Sequence, residues 1–77
     1  MIKDDGYVFY SEKENNMFRE VMRDLHFFKG DPYNPGHKLC EPSGYFNGGT
    51  YWAIRGTETE LAEVEAWFNR TIGNTTK

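Results

Sequence analysis

Cysteine is almost absent: Cys40 is the only one in 77 residues, so no disulfide can form within the chain and a cysteine-built zinc site is excluded. That fits a reducing compartment, and a cytoplasmic setting is the expectation. Long apolar runs are also missing. The opening stretch MIKDDGYVFY lacks a signal-peptide core, and nothing approaches the roughly 20 apolar residues of a membrane span, so no membrane is expected among the partners. Positive charge is not in excess either. A net charge of −3 supplies no long-range field to gather DNA or RNA, which disfavours nucleic acid as a partner. Neither G-x-G-x-x-G nor G-x-x-x-x-G-K occurs, so the glycines form no phosphate loop. Metal-ligand spacings such as H-x3-H are lacking too, and no metal or cofactor is expected. The chain starts at Met1 without a tag-like segment and reads as a complete small gene product.

What is present in quantity is aromatic surface, 17% of the residues. Each Phe, Tyr or Trp buries roughly 150 to 250 Å², so a few rings can replace the aliphatic core that a chain this short does not have. One small domain over residues 1–77 is expected.

The order of elements comes from periodicity and stop signals. A polar lead-in, residues 3–6, precedes the short strand Tyr7-Val8-Phe9-Tyr10, whose aromatic and β-branched composition suits a sheet. Ser11-Glu12-Lys13-Glu14 has the S-x-x-E form of a capping box. The helix it starts carries Phe18, Val21, Met22, Leu25 and Phe28 on one face, with Met17 at the margin and Phe27 on the far side, and stops at Gly30. Residues 30–43 hold all three prolines and read as a long loop. Asn47-Gly48 between two apolar runs signals a type I′ hairpin, with Gly49 a candidate bulge. Thr57-Glu58-Thr59-Glu60 is a second capping box, opening a helix with Leu61, Val64, Phe68 and Ile72 on its core face. Gly73 ends it, and residues 74–77 are expected to fray.

Strand, helix, loop, strand, strand, helix implies an α+β two-layer sandwich: a three-stranded sheet with both helices on one face and residues 50–55 as its central strand. The order resembles a ferredoxin-like fold that lacks its last strand.

Catalysis finds little support. His37, Cys40, Asp31 and Glu41 share the long loop, but loop proximity alone gives neither a base within reach of the thiol nor an oxyanion site. Glu60, Glu63 and Glu65 lie early in a helix, where capping accounts for them. No catalytic residue is assigned and no enzyme activity is expected.

Protein binding has a positive physical motive. The central strand is apolar or aromatic on both sides, Tyr51 and Ala53 on one and Trp52 and Ile54 on the other, while two helices cover only one face. Tyr10, Tyr51 and Arg55 are therefore candidates for an open contact face, since Tyr and Arg are enriched at interface hot spots. Trp67, roughly 105° from the centre of its helix's apolar stripe, joins them, and Tyr33 and His37 of the loop are the remaining candidates. In type, a short acidic chain with no catalytic motif and an aromatic surface looks like the accessory proteins that phages and mobile elements encode to inhibit host factors, including restriction or CRISPR machinery. That resemblance implies steric occupation of a host or cellular protein, with homodimerisation through the open face as an accompanying expectation. The alternative is a single-stranded nucleic-acid (RNA) binding module that stacks bases on the same aromatics, although the K/R-G-F/Y-G/A-F-V-x-F/Y pattern is missing.

Overall fold

The computed structural model describes residues 1–72, with Phe46 described in its backbone alone. Its elements are β1 (Ile2–Phe9), α1 (Glu12–Asp24), β2 (Leu39–Phe46), β3 (Gly49–Thr57) and α2 (Glu58–Thr71). The sheet order is β1-β3-β2, with β3 antiparallel to both neighbours. This is the expected α+β sandwich with the ferredoxin-like strand order short of the last strand. The expected Gly73 stop and the fraying of 74–77 lie outside the described residues.

Burial alternates along β3, and the alternation sets the two faces. Trp52 and Ile54 are buried and their partners across the sheet are Tyr7 and Asp5 on β1 and Pro42 and Cys40 on β2. Both helices pack on that side. Phe18 and Met22 of α1, and Leu61, Val64 and Trp67 of α2, join Phe9, Cys40, Trp52 and Ile54 in one core. Phe18 lies at its centre, wholly buried, with ring centroids 4.7 Å from Phe9, 5.5 Å from Trp52 and 6.0 Å from Trp67. The Trp52 Nε1–H donates to Asn15 Oδ1 on α1 at 2.6 Å, so the largest core ring enters the apolar layer without leaving a polar atom unpaired.

Four boundaries differ from the sequence reading, each for a local reason. β1 starts at Ile2 rather than Tyr7, because the nine residues of β3 offer Lys3, Asp4 and Asp5 hydrogen-bonding partners; these side chains stay polar because they are exposed. α1 ends at Asp24, not near Gly30. Its stop is a Schellman motif with His26 in the left-handed position, φ 62°: the Phe27 N–H bonds to Met22 O at 2.9 Å and the His26 N–H to Arg23 O at 3.1 Å. Phe27 thereby folds under the helix end, buried beside Met22, instead of standing on the far side. Third, the loop is residues 25–38, since β2 begins at Leu39. Pro42 lies within that strand, which is permitted because β2 is an edge and needs no donor on its outer side. Finally, the irregularity in the ladder falls between Pro42 and Tyr45, whereas Gly49 pairs in register with Phe46. Asn47 and Gly48 form the expected turn with φ of 53° and 86°.

The loop is held by its own polar groups. The Asn34 side-chain amide donates to Phe28 O and Lys38 O, each at 3.0 Å, while its Oδ1 accepts from the Gly36 N–H at 2.7 Å. His26 Nδ1 donates to Asp31 Oδ2 at 2.9 Å. Lys38 Nζ donates to Leu25 O, where a cation complements the helix C-terminus. The other end is anchored through Glu60. Its carboxylate accepts from the Thr57 N–H at 2.8 Å, completing the second capping box, and also from His37 Nε2 at 2.9 and 3.0 Å. A carboxylate only accepts, so the proton must be on Nε2.

Burial works against the Glu60 charge, but the Thr57 and His37 hydrogen bonds and nearby His37 and Lys38 outweigh it and hold the carboxyl below its ordinary 4.5. The Tyr33 N–H, then His26, likewise hold Asp31 below its ordinary 3.8. Folded values below unfolded ones mean stability that is present above the ordinary values and lost as pH falls through the folded ones. Unfolding free energy is therefore expected to decline between about pH 5 and pH 3. Glu60→Gln should flatten that limb in urea titrations run at each pH. An unchanged acid limb in the Gln variant would place the sensitivity elsewhere.

Candidate protein-binding face

The sheet face opposite the helices carries Asp4, Gly6 and Val8 on β1 and Arg55, Ala53 and Tyr51 as their register partners on β3. Two glycines shape it. A β-carbon on Gly6 would collide with the Tyr51 ring, so Tyr51 lies flat across the β1 backbone. A β-carbon on Gly49 would stand 2.7 Å from Val8 Cγ1 and 2.8 Å from Tyr10 Cδ1, so the Tyr10 ring covers the β3 backbone in turn. Aromatic rings over strand glycines fill what a missing side chain leaves open. Arg55 donates from Nε to Asp4 Oδ1 at 2.7 Å, and the pair is solvent-exposed.

Tyr10, Tyr51 and Arg55, expected together, share this face. Tyr10 is 65% exposed; Tyr51 is half-buried by its contact with Gly6. Trp67 does not join them. It is buried at 9% exposure in the core, beside Phe18, and Phe68 is the residue left at the margin. Because α1 lies alongside α2, the buried stripe of α2 runs Leu61, Val64, Trp67 instead of turning towards Phe68. Tyr33 and His37 belong to the loop at one end of the sheet. Tyr33 is 77% exposed with its ring 5.3 Å from that of His26, and His37 is engaged by Glu60.

One further exposed aromatic on this face is not legible from spacing alone. Tyr45, 86% exposed, lines a shallow groove with Val8, Ser43 and Tyr51. Its signal was Pro42-Ser43-Gly44 just upstream: a proline and a glycine of φ 120° in a strand mark an irregularity that re-aims the next side chains.

No known protein family matches this chain, and neither a characterised protein nor a solved structure is significantly similar to it. Its chemistry must be read from the groups themselves.

Burial, then the neighbouring Glu41, push the Cys40 thiol up to about 12. At neutral pH it carries no appreciable thiolate. His37, the sequence candidate for its base, directs Nε2 to Glu60. A disulfide reagent such as DTNB at about pH 8 is therefore expected to label Cys40 stoichiometrically in denaturant and only very slowly in the native protein. Rapid native labelling would show that the β2 edge opens. Tyr7, beneath the sheet, is likewise raised to about 12 by burial, with Asp5 and Glu65 adding to it. Among the described residues no three His, Cys, Asp or Glu side chains are grouped to hold a metal ion, and no helix is long and apolar enough to cross a membrane.

Proposed function

We propose that this chain is a non-enzymatic protein-binding module that acts by steric occupation of a partner protein, of the kind that phages and mobile elements direct at host defence machinery. The observation that carries the reading is the face built by Val8, Tyr10, Tyr45 and Tyr51, which neither helix covers. Tyrosines give large, rigid contact area with a polar tip at low entropic cost, and they are the residues on which interface energy concentrates. A buried, unreactive thiol suits a cytosolic setting.

Glu41, opposite Ala53 on β2, and Asp4, opposite Arg55 on β1, put carboxylates on the same face as the aromatics, towards its Arg55 end. They would repel a phosphate backbone tracking across the sheet, which weighs against base stacking as the use of these rings. The purified chain, immobilised and exposed to lysate with and without nuclease, is expected to retain the same partner protein in both. Retention that disappears with nuclease would overturn the reading. Light scattering after size exclusion determines in the same preparation whether two copies pair, and Tyr51→Ala abolishing the pairing would assign it to this face.

A further inference from the structure

The loop and the near end of the open face enclose a second feature, a cleft of about 500 Å³. Its walls are Lys29, His37, Lys38 and Arg55, and its apolar floor is Ile2 and Leu39. In a chain of net charge −3, three of the nine lysines and arginines and one of the two histidines line this single site. We infer that this cleft is where the partner's acidic segment docks: an extended peptide that sets carboxylates against Lys29, Lys38 and Arg55 and an aliphatic side chain on Ile2 and Leu39. The inference rests on the protein-binding reading and adds the chemistry of the partner.

The cations are oriented before any ligand arrives. Lys38 Nζ is fixed over the Phe27 ring, 4.6 Å from its centroid, and donates one of its hydrogens to Leu25 O, leaving others for a ligand. Arg55 uses Nε and Nη2 on Asp4, and its Nη1 is the guanidinium nitrogen not engaged by that carboxylate. Lys29 is exposed and is in no ion pair among the described residues. Ile2 is 46% exposed, an apolar side chain that an occupant would cover. The floor distinguishes the occupant. A free phosphate or a sugar-phosphate backbone gains nothing from Ile2 and Leu39, whereas an acidic and aliphatic peptide uses both the walls and the floor.

The test is an amide NMR titration of the full chain with three probes: the capped peptide Glu-Leu-Glu-Glu-Leu-Glu, inorganic phosphate, and single-stranded oligouridine. The peptide is expected to shift Gly36, Lys38 and Leu39 saturably, and Lys29→Glu to weaken it about tenfold with an unchanged far-UV spectrum. Lys29→Gln should fall between the two. Phosphate or oligouridine binding the cleft as tightly as the peptide would overturn the inference, as would peptide shifts indifferent to Lys29→Glu. The open face is read separately: Tyr51→Ala abolishing lysate capture while Lys29→Glu leaves it intact would remove the cleft and keep the face. The reverse result would remove the face.

Discussion

Phe18→Ala is expected to leave most of the chain unfolded at 25 °C. Phe18 has no exposed surface and touches rings from the sheet and from α2: Tyr7, Phe9, Trp52 and Trp67 all have centroids within 6.0 Å of it. Truncating a fully buried Phe costs about 3–5 kcal/mol, the transfer of the ring plus the cavity left behind. A single-core domain of this size holds only about 3–5 kcal/mol in all. The loss therefore equals the whole stability, and far-UV circular dichroism should show it without denaturant. Phe18→Leu, which refills most of the space, should stay folded with a lower urea midpoint. Trp67→Ala is expected to behave like Phe18→Ala. A Trp67→Ala variant that melted like the parent would return Trp67 to the surface, where the helical spacing first put it.

On the open face the expectation is opposite in kind: binding falls while the fold persists. Truncating a central aromatic hot spot costs about 2 kcal/mol or more, close to thirtyfold in affinity, and Tyr51→Ala should show that loss against the captured partner. Its fold will not be wholly untouched, since the ring packs on Gly6; a destabilisation of about 1 kcal/mol is expected. Arg55→Ala removes an exposed pair with Asp4, worth at most about 1 kcal/mol to the fold. Tyr45→Ala separates the two quantities most cleanly. So exposed a side chain should change stability by no more than about 0.5 kcal/mol, and any lost affinity then belongs to the interface. Unaltered capture by both tyrosine variants would show that the partner uses another surface.

Much of the fold could be read from residues that act locally. Thr57 and Glu60 form a capping box wherever they meet a helix start, and Asn47-Gly48 accepts positive φ in any hairpin. Ser11 did half of what was expected: its hydroxyl accepts from the Glu14 N–H at 3.1 Å. Features decided by tertiary contact were less legible. His26 closes α1 in a conformation usually left to glycine, because Phe27 gains burial beside Met22 and His26 gains Asp31. No spacing along α1 carries that information. Pro42 concealed the first part of β2, which starts at Leu39, since a proline rules out a central strand but not an edge, and the edge is known only once β3 is placed between its neighbours. Trp67 was misassigned for a similar reason: the buried arc of α2 is widened by α1, and a single-helix projection cannot include the second helix. That Tyr51 and Arg55 share a face with Tyr10 was legible because alternation along β3, and along the β1 segment leading to Tyr10, decides the side of each; the basic cleft was not, because it joins a loop to a strand some 20 residues away.

The proline and ladder irregularity in β2 also bear on how this sheet meets other chains. Two rims of a three-stranded sheet invite strands from neighbouring molecules, the route by which small β-containing proteins fuse into fibres. One rim here lacks a donor at Pro42 and is displaced before Tyr45; the other carries Lys3, Asp4 and Asp5 in sequence. Growth by strand addition is obstructed on both. With Tyr10 and Tyr45 exposed on the open face, any contact this sheet makes is thereby steered to its face, through side chains that can tell one surface from another, rather than through a backbone that pairs with any.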